Sequence, residues 1–209
     1  MPKVSVLVPV YNASEFLRTA LTSLVNQTLA DIEIICINDG SKDDSLAIIQ
    51  EFAAKDPRIV VLDKTNTGYG DSMNRGIKLA HGEYIGILEP DDYLELNAFE
   101  KLYQLAHWHH ADIVKSNYFL LENGQNRKLE VIHPKDTGKV IYPHDKRFVF
   151  RLPPAIWSAI YRREFLLENH LEFLRPLENA CVYMIPSVAS KKGIVFSYKI
   201  RLQMLLLIA

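Results

Sequence analysis

Residues 4–25, VSVLVPVYNASEFLRTALTSLV, carry two periodicities in succession. Val4–Val10 is an apolar run with β-branched residues, the pattern of a parallel strand covered on both faces. Tyr11 and Asn12 end it. Ser14 then stands where a helix N-cap is expected, and Leu17, Leu21 and Leu24 recur at helical spacing. A strand that turns directly into an amphipathic helix is half of a βαβ unit, and the chain repeats the move.

Ile32–Asn38 (IEIICIN) reads as a second buried strand, stopped by Asp39-Gly40. Ser41 with Asp44 has the spacing of a capping box for a helix that places Leu46, Ile49 and Ala53 on one face. Ile59–Leu62 is a third strand. A helix from Tyr69 to Ala80 follows, with Gly82 expected at its C′ position. Glu83–Leu88 is a fourth strand, and Asn97 with Glu100 opens another helix before a fifth strand, Ala111–Ser116. This order predicts an α/β fold: a Rossmann-like, mostly parallel sheet flanked by helices. Ligands of such sheets bind beyond the carboxyl ends of the strands. Asn12, Asp39, Asn66 and the Glu89–Asp92 cluster all fall there.

From Tyr118 the rhythm breaks into short strands at Phe119–Leu121, Leu129–Ile132 and Lys139–Tyr142, with a short helix over Asp145–Leu152. Ala155–Phe165 is apolar-rich, and Glu164–Asn169 is expected to continue as helix. Residues 1–116 therefore form an α/β half. Residues 117–209 form a smaller mixed region of the same domain, with an atypical tail from about residue 170. The closing LQMLLLIA suits a buried strand or a sticky end.

Composition narrows the function. With 24 Lys+Arg against 25 Asp+Glu, the chain lacks the basic excess of a nucleic-acid backbone binder. Two cysteines, Cys36 and Cys181, make neither a disulfide framework nor a zinc pattern. The N-terminal apolar run is too short for a signal peptide, and no stretch reaches the roughly 18–20 apolar residues of a membrane span. These features point to the cytoplasm. No P-loop and no Gly-x-Ser-x-Gly elbow is present. The histidines of HWHH (107–110) read as a helix end that complements the dipole.

Three segments can carry chemistry. Glu89-Pro90-Asp91-Asp92 sets three carboxylates within four residues at a strand end. Such mutual repulsion suits a hard cation that brings phosphate and water ligands of its own; a solvated acidic turn at the next helix is the alternative. Asp39 can accept from a ribose hydroxyl or a nucleobase N–H, or it can form an Asx-turn into the helix. Asn66-Thr67-Gly68-Tyr69-Gly70 approaches GxGxxG, but Met73 replaces the third glycine, so close helix packing is the plainer reading.

Taken in order, VSVLVPVYNASEFL, IEIICINDGSKDDS and NTGYGDSMNRGIKLAHGEYIGILEPDDYLE resemble a family 2 glycosyltransferase with the nucleotide-diphospho-sugar (GT-A) fold. The resemblance covers residues 2–115 and extends to Ile156–Leu166. It implies that Pro9, Val10, Tyr11 and Asn12 line the nucleotide pocket, and that Asp39 contacts uracil or ribose. Asn66, Gly68, Gly70 and Asp71 would wall the same pocket. Glu89-Pro90-Asp91 occupies the family's DxD position, with Glu89 in place of its first Asp. Asp91 would bind Mn²⁺ or Mg²⁺, Asp92 would support it, and Trp157 would stack on sugar or acceptor. The family's general base lies beyond the Trp segment, where Tyr183-Met184 replaces its Glu-Asp pair and Glu178 is the nearest carboxylate. The activity implied is inverting transfer from a nucleotide-sugar, a UDP-sugar, to a glycan or lipid-linked acceptor. That location admits peripheral association with the inner face of the membrane. A nucleotide-sugar-binding domain without turnover is the alternative, should the base be missing.

Overall fold

The computed structural model describes residues 1–122, 125–129, 137–141, 155–173, 194–197 and 202–205. The α/β half matches the sequence closely. It runs β1 (Val4–Val10), α1 (Ser14–Val25), β2 (Ile32–Asp39), α2 (Ser45–Ala53), β3 (Ile59–Lys64), α3 (Tyr69–Leu79) and β4 (Tyr84–Ile87). Then come β5 (Asp92–Leu94), α4 (Ala98–His109) and β6 (Ile113–Ser116). The remainder supplies β7 (Tyr118–Glu122), β8 (Gln125–Leu129), β9 (Val140–Ile141), β10 (Ala159–Arg162), α5 (Arg163–Glu168), β11 (Ile194–Ser197) and β12 (Leu202–Leu205).

The main sheet has the order β3-β2-β1-β4-β10-β6-β11-β9. All pairings among β3, β2, β1 and β4 are parallel; β10 enters antiparallel between β4 and β6, and β9 pairs antiparallel with β11. A second sheet, β5-β12-β7-β8, lies beyond it. The C-terminal apolar stretch thus contributes a strand, with Met204 opposite Asp92. Among the described residues no helix is long and apolar enough to cross a membrane.

Every residue of β1 is buried. Val4, Val6, Val8 and Val10 join Leu17, Leu21, Leu24 and Ile49 on the face covered by α1 and α2. Leu7 points the other way, among Ile35, Ile37, Met73, Ile77 and Phe165. The period-2 alternation therefore feeds two cores, as a strand between two helix layers must.

The structure differs from five local readings of the sequence. Ala13, not Ser14, is the N-cap of α1, and no side chain of its own caps it. The free amides are taken from a distance: Ser14 N–H donates to Asp43 Oδ2 at 2.9 Å and Ala13 N–H to Ser45 Oγ at 2.9 Å. Asp43 Oδ1 also accepts from Ser45 N–H at 3.0 Å, so one carboxylate serves the starts of α1 and α2. The Ser41–Asp44 capping box does not form, because α2 starts at Ser45 and the Ser41 hydroxyl accepts from Asn12 N–H at 3.1 Å. Buried Ile48 and Ile49 define the inner face of α2, while Leu46 is half-buried. Gly82 is not a C′ residue: Ala80 ends α3 in an extended conformation. Finally, Ala155–Phe165 divides into a 3₁₀ turn (Ile156–Ser158), strand β10 and the start of α5. An antiparallel strand there has no period to announce it. The helix expected over Asp145–Leu152 lies outside the described residues.

Gly82 has a different reason to be glycine. A Cβ there would meet the Ser5 backbone nitrogen at 2.4 Å and its Oγ at 2.7 Å. The Gly82 N–H donates to that Oγ at 2.8 Å, closing the approach to β4 against β1. Backbone cannot give way as a side chain can. Gly82→Ala should therefore cost about 1–3 kcal/mol, read as a lower urea midpoint at unchanged m-value.

Candidate functional site

The carboxyl ends of β1, β2, β3 and β4 meet at one rim. Gly40, at φ +70°, turns the chain there, and an added Cβ would meet the Asn66 backbone nitrogen at 2.8 Å. Glycine meets both demands. Asn12 also adopts a left-handed conformation, φ 50°, which Asn tolerates better than most residues. Its Oδ1 accepts from Lys42 N–H at 2.8 Å, fixing the end of β1 to the loop after β2. Pro9 and Val10 are buried within the sheet, whereas Tyr11 is 49% exposed. Tyr11 and Asn12 are thus the residues of that quartet whose side chains reach the rim.

Asp39 is held on several sides. Its Oδ1 accepts from Thr67 N–H at 2.8 Å and from Lys64 Nζ, and its Oδ2 accepts from Gly68 N–H at 2.9 Å. Lys64 is the in-register partner of Asp39 in the β2–β3 pair, and both side chains are buried. Lys64 also donates to Thr67 Oγ1 at 2.6 Å, and its Nζ stands 3.7 Å from Asp71. Asp71 in the first turn of α3 accepts from the Thr67 hydroxyl and from Arg75 Nε at 2.8 Å. The Thr67 hydrogen bond, with Arg75 and Lys64 nearby, holds its carboxyl below the usual range. Gly68, at φ +90°, is the N-cap that brings these amides to Asp39. Gly70 is buried beneath them, and Asn66 is exposed at the rim.

The acidic motif follows β4. Asp91 is exposed, Glu89 is half-buried, and Asp92 is buried at the start of β5. Burial pushes the Glu89 carboxyl up to about 7; the Tyr69 hydroxyl, donating at 2.7 Å, works against that rise, and the Asp91 charge adds to it. Among the described residues no group of three or more His, Cys, Asp or Glu is arranged to hold a metal. Asp91 beside Glu89 still fits a hard cation, because Mg²⁺ and Mn²⁺ take one or two carboxylates and complete their shell with phosphate and water.

Tyr69 meets Phe173 edge-on, with ring centroids 6.1 Å apart. Asn74 clamps the Phe173 backbone in both directions, accepting from its N–H and donating to its carbonyl, each at 2.8 Å. Across the rim, half-buried Trp157 packs on both cores and lies 6.3 Å from the Tyr118 ring. Glu178 lies outside the described residues. Lys64 and Asn74 are not among the site residues that the sequence suggests. Only Lys64 left a signal, since aligning β2 with β3 sets it beside Asp39.

The sequence model described as Glycosyl transferase family 2 matches residues 5–166. The uncharacterized glycosyltransferase EpsJ of Bacillus subtilis is 35% identical over 181 residues, covering 83% of this chain and 52% of that protein. The chain spans about half the length of the curated relatives it matches, with 52%, 53% and 50% of three of them covered. Among solved structures, S. aureus TarS 1–349 in complex with UDP-GlcNAc superposes at TM-score 0.85 and 21% identity, over 99% of this chain and 59% of that one. The Pyrobaculum calidifontis mannosyltransferase PcManGT in complex with GDP-Man and Mn²⁺ gives TM-score 0.64 at 18% identity, over 97% of this chain and 56% of that one. These two likenesses show the GT-A fold.

Two outcomes follow from the rim. Lys64→Met leaves the buried Asp39 carboxylate without its cation, and should cost about 3–5 kcal/mol in urea denaturation. Glu89 binds its proton more tightly folded than unfolded, so between about pH 4.5 and about pH 7 the folded state holds more protons. Stability of the metal-free protein should therefore fall as pH rises through that window, and Glu89→Gln should flatten the fall.

Proposed function

Because the chain belongs to glycosyl transferase family 2, we propose that it transfers a sugar from a UDP-sugar to a hydroxyl of a glycan or lipid-linked acceptor, with inversion at the anomeric carbon. The observation that carries this reading is the meeting of Asp39 and Asp91 on one strand-end rim, one restrained in a donor network and the other exposed.

The two carboxylates suit different parts of one donor. An ionised Asp39 only accepts hydrogen bonds, and its two oxygens offer more acceptor sites than Lys64, Thr67 and Gly68 occupy. It can take a base N–H or a ribose hydroxyl, and its restraint keeps that acceptor in place before the nucleotide arrives. Tyr11 and Asn66 flank it at the rim. Asp91, with Glu89 beside it, would hold Mn²⁺ or Mg²⁺, and buried Asp92 would brace that turn. Bound there, the cation supplies neutralisation of charge on the departing diphosphate. Trp157 offers an apolar face to the sugar or acceptor. An acceptor hydroxyl must lose its proton as it attacks, which calls for a carboxylate on the opposite face of the sugar. Glu178 is the candidate carried from the sequence. A lipid-linked acceptor would bring the protein to the inner membrane face as a peripheral partner.

Thermal denaturation tests the donor half directly. UDP with Mn²⁺ at about 100 times Kd should stabilise by about 2.7 kcal/mol, a Tm rise on the order of 5 °C for a chain of this size. UDP without metal should give far less, and Asp91→Ala should remove the metal-dependent part. No rise with any nucleotide and metal overturns the reading. Slow hydrolysis of a UDP-sugar separates an enzyme from a binder without turnover.

A further inference from the structure

Lys115 stands one residue before the end of β6, opposite Ala159 of β10. Since β10 runs antiparallel, the residues preceding it project past the end of β6, at the rim where β1–β4 end. The ammonium reaches up to them. Lys115 Nζ donates to the Ala155 carbonyl and to Ser158 Oγ, each at 2.8 Å. That carbonyl is already crowded, accepting also from Ser158 Oγ at 2.8 Å and from Ser158 N–H at 3.2 Å. Both partners of the lysine are neutral.

Three other cations set into the fold each face a carboxylate instead. Lys64 faces Asp39, Arg58 faces Asp56, and Arg162 faces Asp112. Among the described residues no carboxylate pairs with Lys115, and one of its three N–H groups has no partner. Burial pushes its pKa down to about 8, the mark of an ammonium that has left water without gaining a counter-charge. A second donor in the same turn is also unspent: Trp157 Nε1 is buried and has no partner among the described residues. The 3₁₀ turn that carries it touches β4, whose end leads into Glu89 and Asp91. With β10 between them, β6 lies about 10 Å across the rim from β4. A cation without an anion, at that distance from the acidic motif, is placed to meet a negative group that arrives with a ligand.

We propose that Lys115 forms an anion subsite on the acceptor side of the rim, taking one phosphate oxygen through its free N–H. This deepens the glycosyltransferase reading and rests on it for the position of the donor. The phosphate has two sources, a phosphate-bearing acceptor or the donor's own diphosphate, and both present the same charged oxygen.

The test compares wild type with Lys115→Met and with Lys115→Gln, whose amide still donates to a carbonyl should the Met variant fail to fold. In one arm, sn-glycerol 3-phosphate is titrated against protein saturated with UDP and Mg²⁺, and Tm is followed. In the other, the apparent Kd for UDP with Mg²⁺ is measured. Loss of the glycerol phosphate response by about tenfold or more, with UDP affinity kept, assigns the subsite to the acceptor. A loss of that size in UDP affinity assigns it to the donor. Lys115→Arg should restore whichever is lost. Equal responses in wild type and both neutral variants overturn the proposal and leave Lys115 a pin for the Ala155–Ser158 turn. If wild type shows no UDP response, the glycosyltransferase reading fails. The titration is then repeated without nucleotide, and the loss or retention of its phosphate response in the neutral variants decides on Lys115 alone.

Discussion

Strand β1 has neither a free edge nor an exposed face. It is bonded in parallel to β2 on one side and to β4 on the other, and all seven of its residues are buried. Much else follows from that constraint. Parallel neighbours cannot be joined by hairpins, so each connection must cross over, and α1, α2 and α3 are those crossovers. Because the strands run the same way, their carboxyl ends share one rim. The polar residues that end them (Asn12, Asp39, and Glu89 with Asp91) are brought together although up to 79 residues separate them, from Asn12 to Asp91.

Gathering charge at that rim has an electrostatic cost that the fold meets unevenly. On the β2–β3 side the carboxylates of Asp39 and Asp71 are compensated by Lys64, by Arg75 and by backbone amides. Each carboxylate of this network has a cation and hydrogen-bond donors within the fold. On the β4 side Glu89 and Asp91 repel each other, and the Tyr69 hydroxyl donates to Glu89. Further across, Lys115 carries positive charge against neutral oxygens. Unfinished electrostatics of opposite sign on either side of β10 is the arrangement expected of a surface completed by a charged ligand.

The family relationship and the rim agree, while most of the matched relatives extend well beyond this chain. Within the chain, the carboxyl ends of β1 to β4 form the rim on which the proposed donor site rests. β10 and β11 enter the main sheet late in the sequence.

The sequence by itself determined β1 to β4, β6 and the helices α1 to α4, but not the short β5. Periodicity is a local property, and β1, β2 and α1 each express one period without interruption. It also identified the family, through motifs that stand next to strand ends. Tertiary structure alone decided what distance in sequence conceals. Asp43 caps a helix 29 residues away, Lys64 neutralises Asp39 across 25 residues, and Asn74 clamps Phe173 across 99. It also decided that β10 lies antiparallel between β4 and β6. A four-residue strand has too few alternations to declare itself, and its place depends on the hydrogen-bonding edges that β4 and β6 offer once they are already formed. Lys115 belongs to the same class, because the neutral partners it has among the described residues are neighbours that only folding assembles.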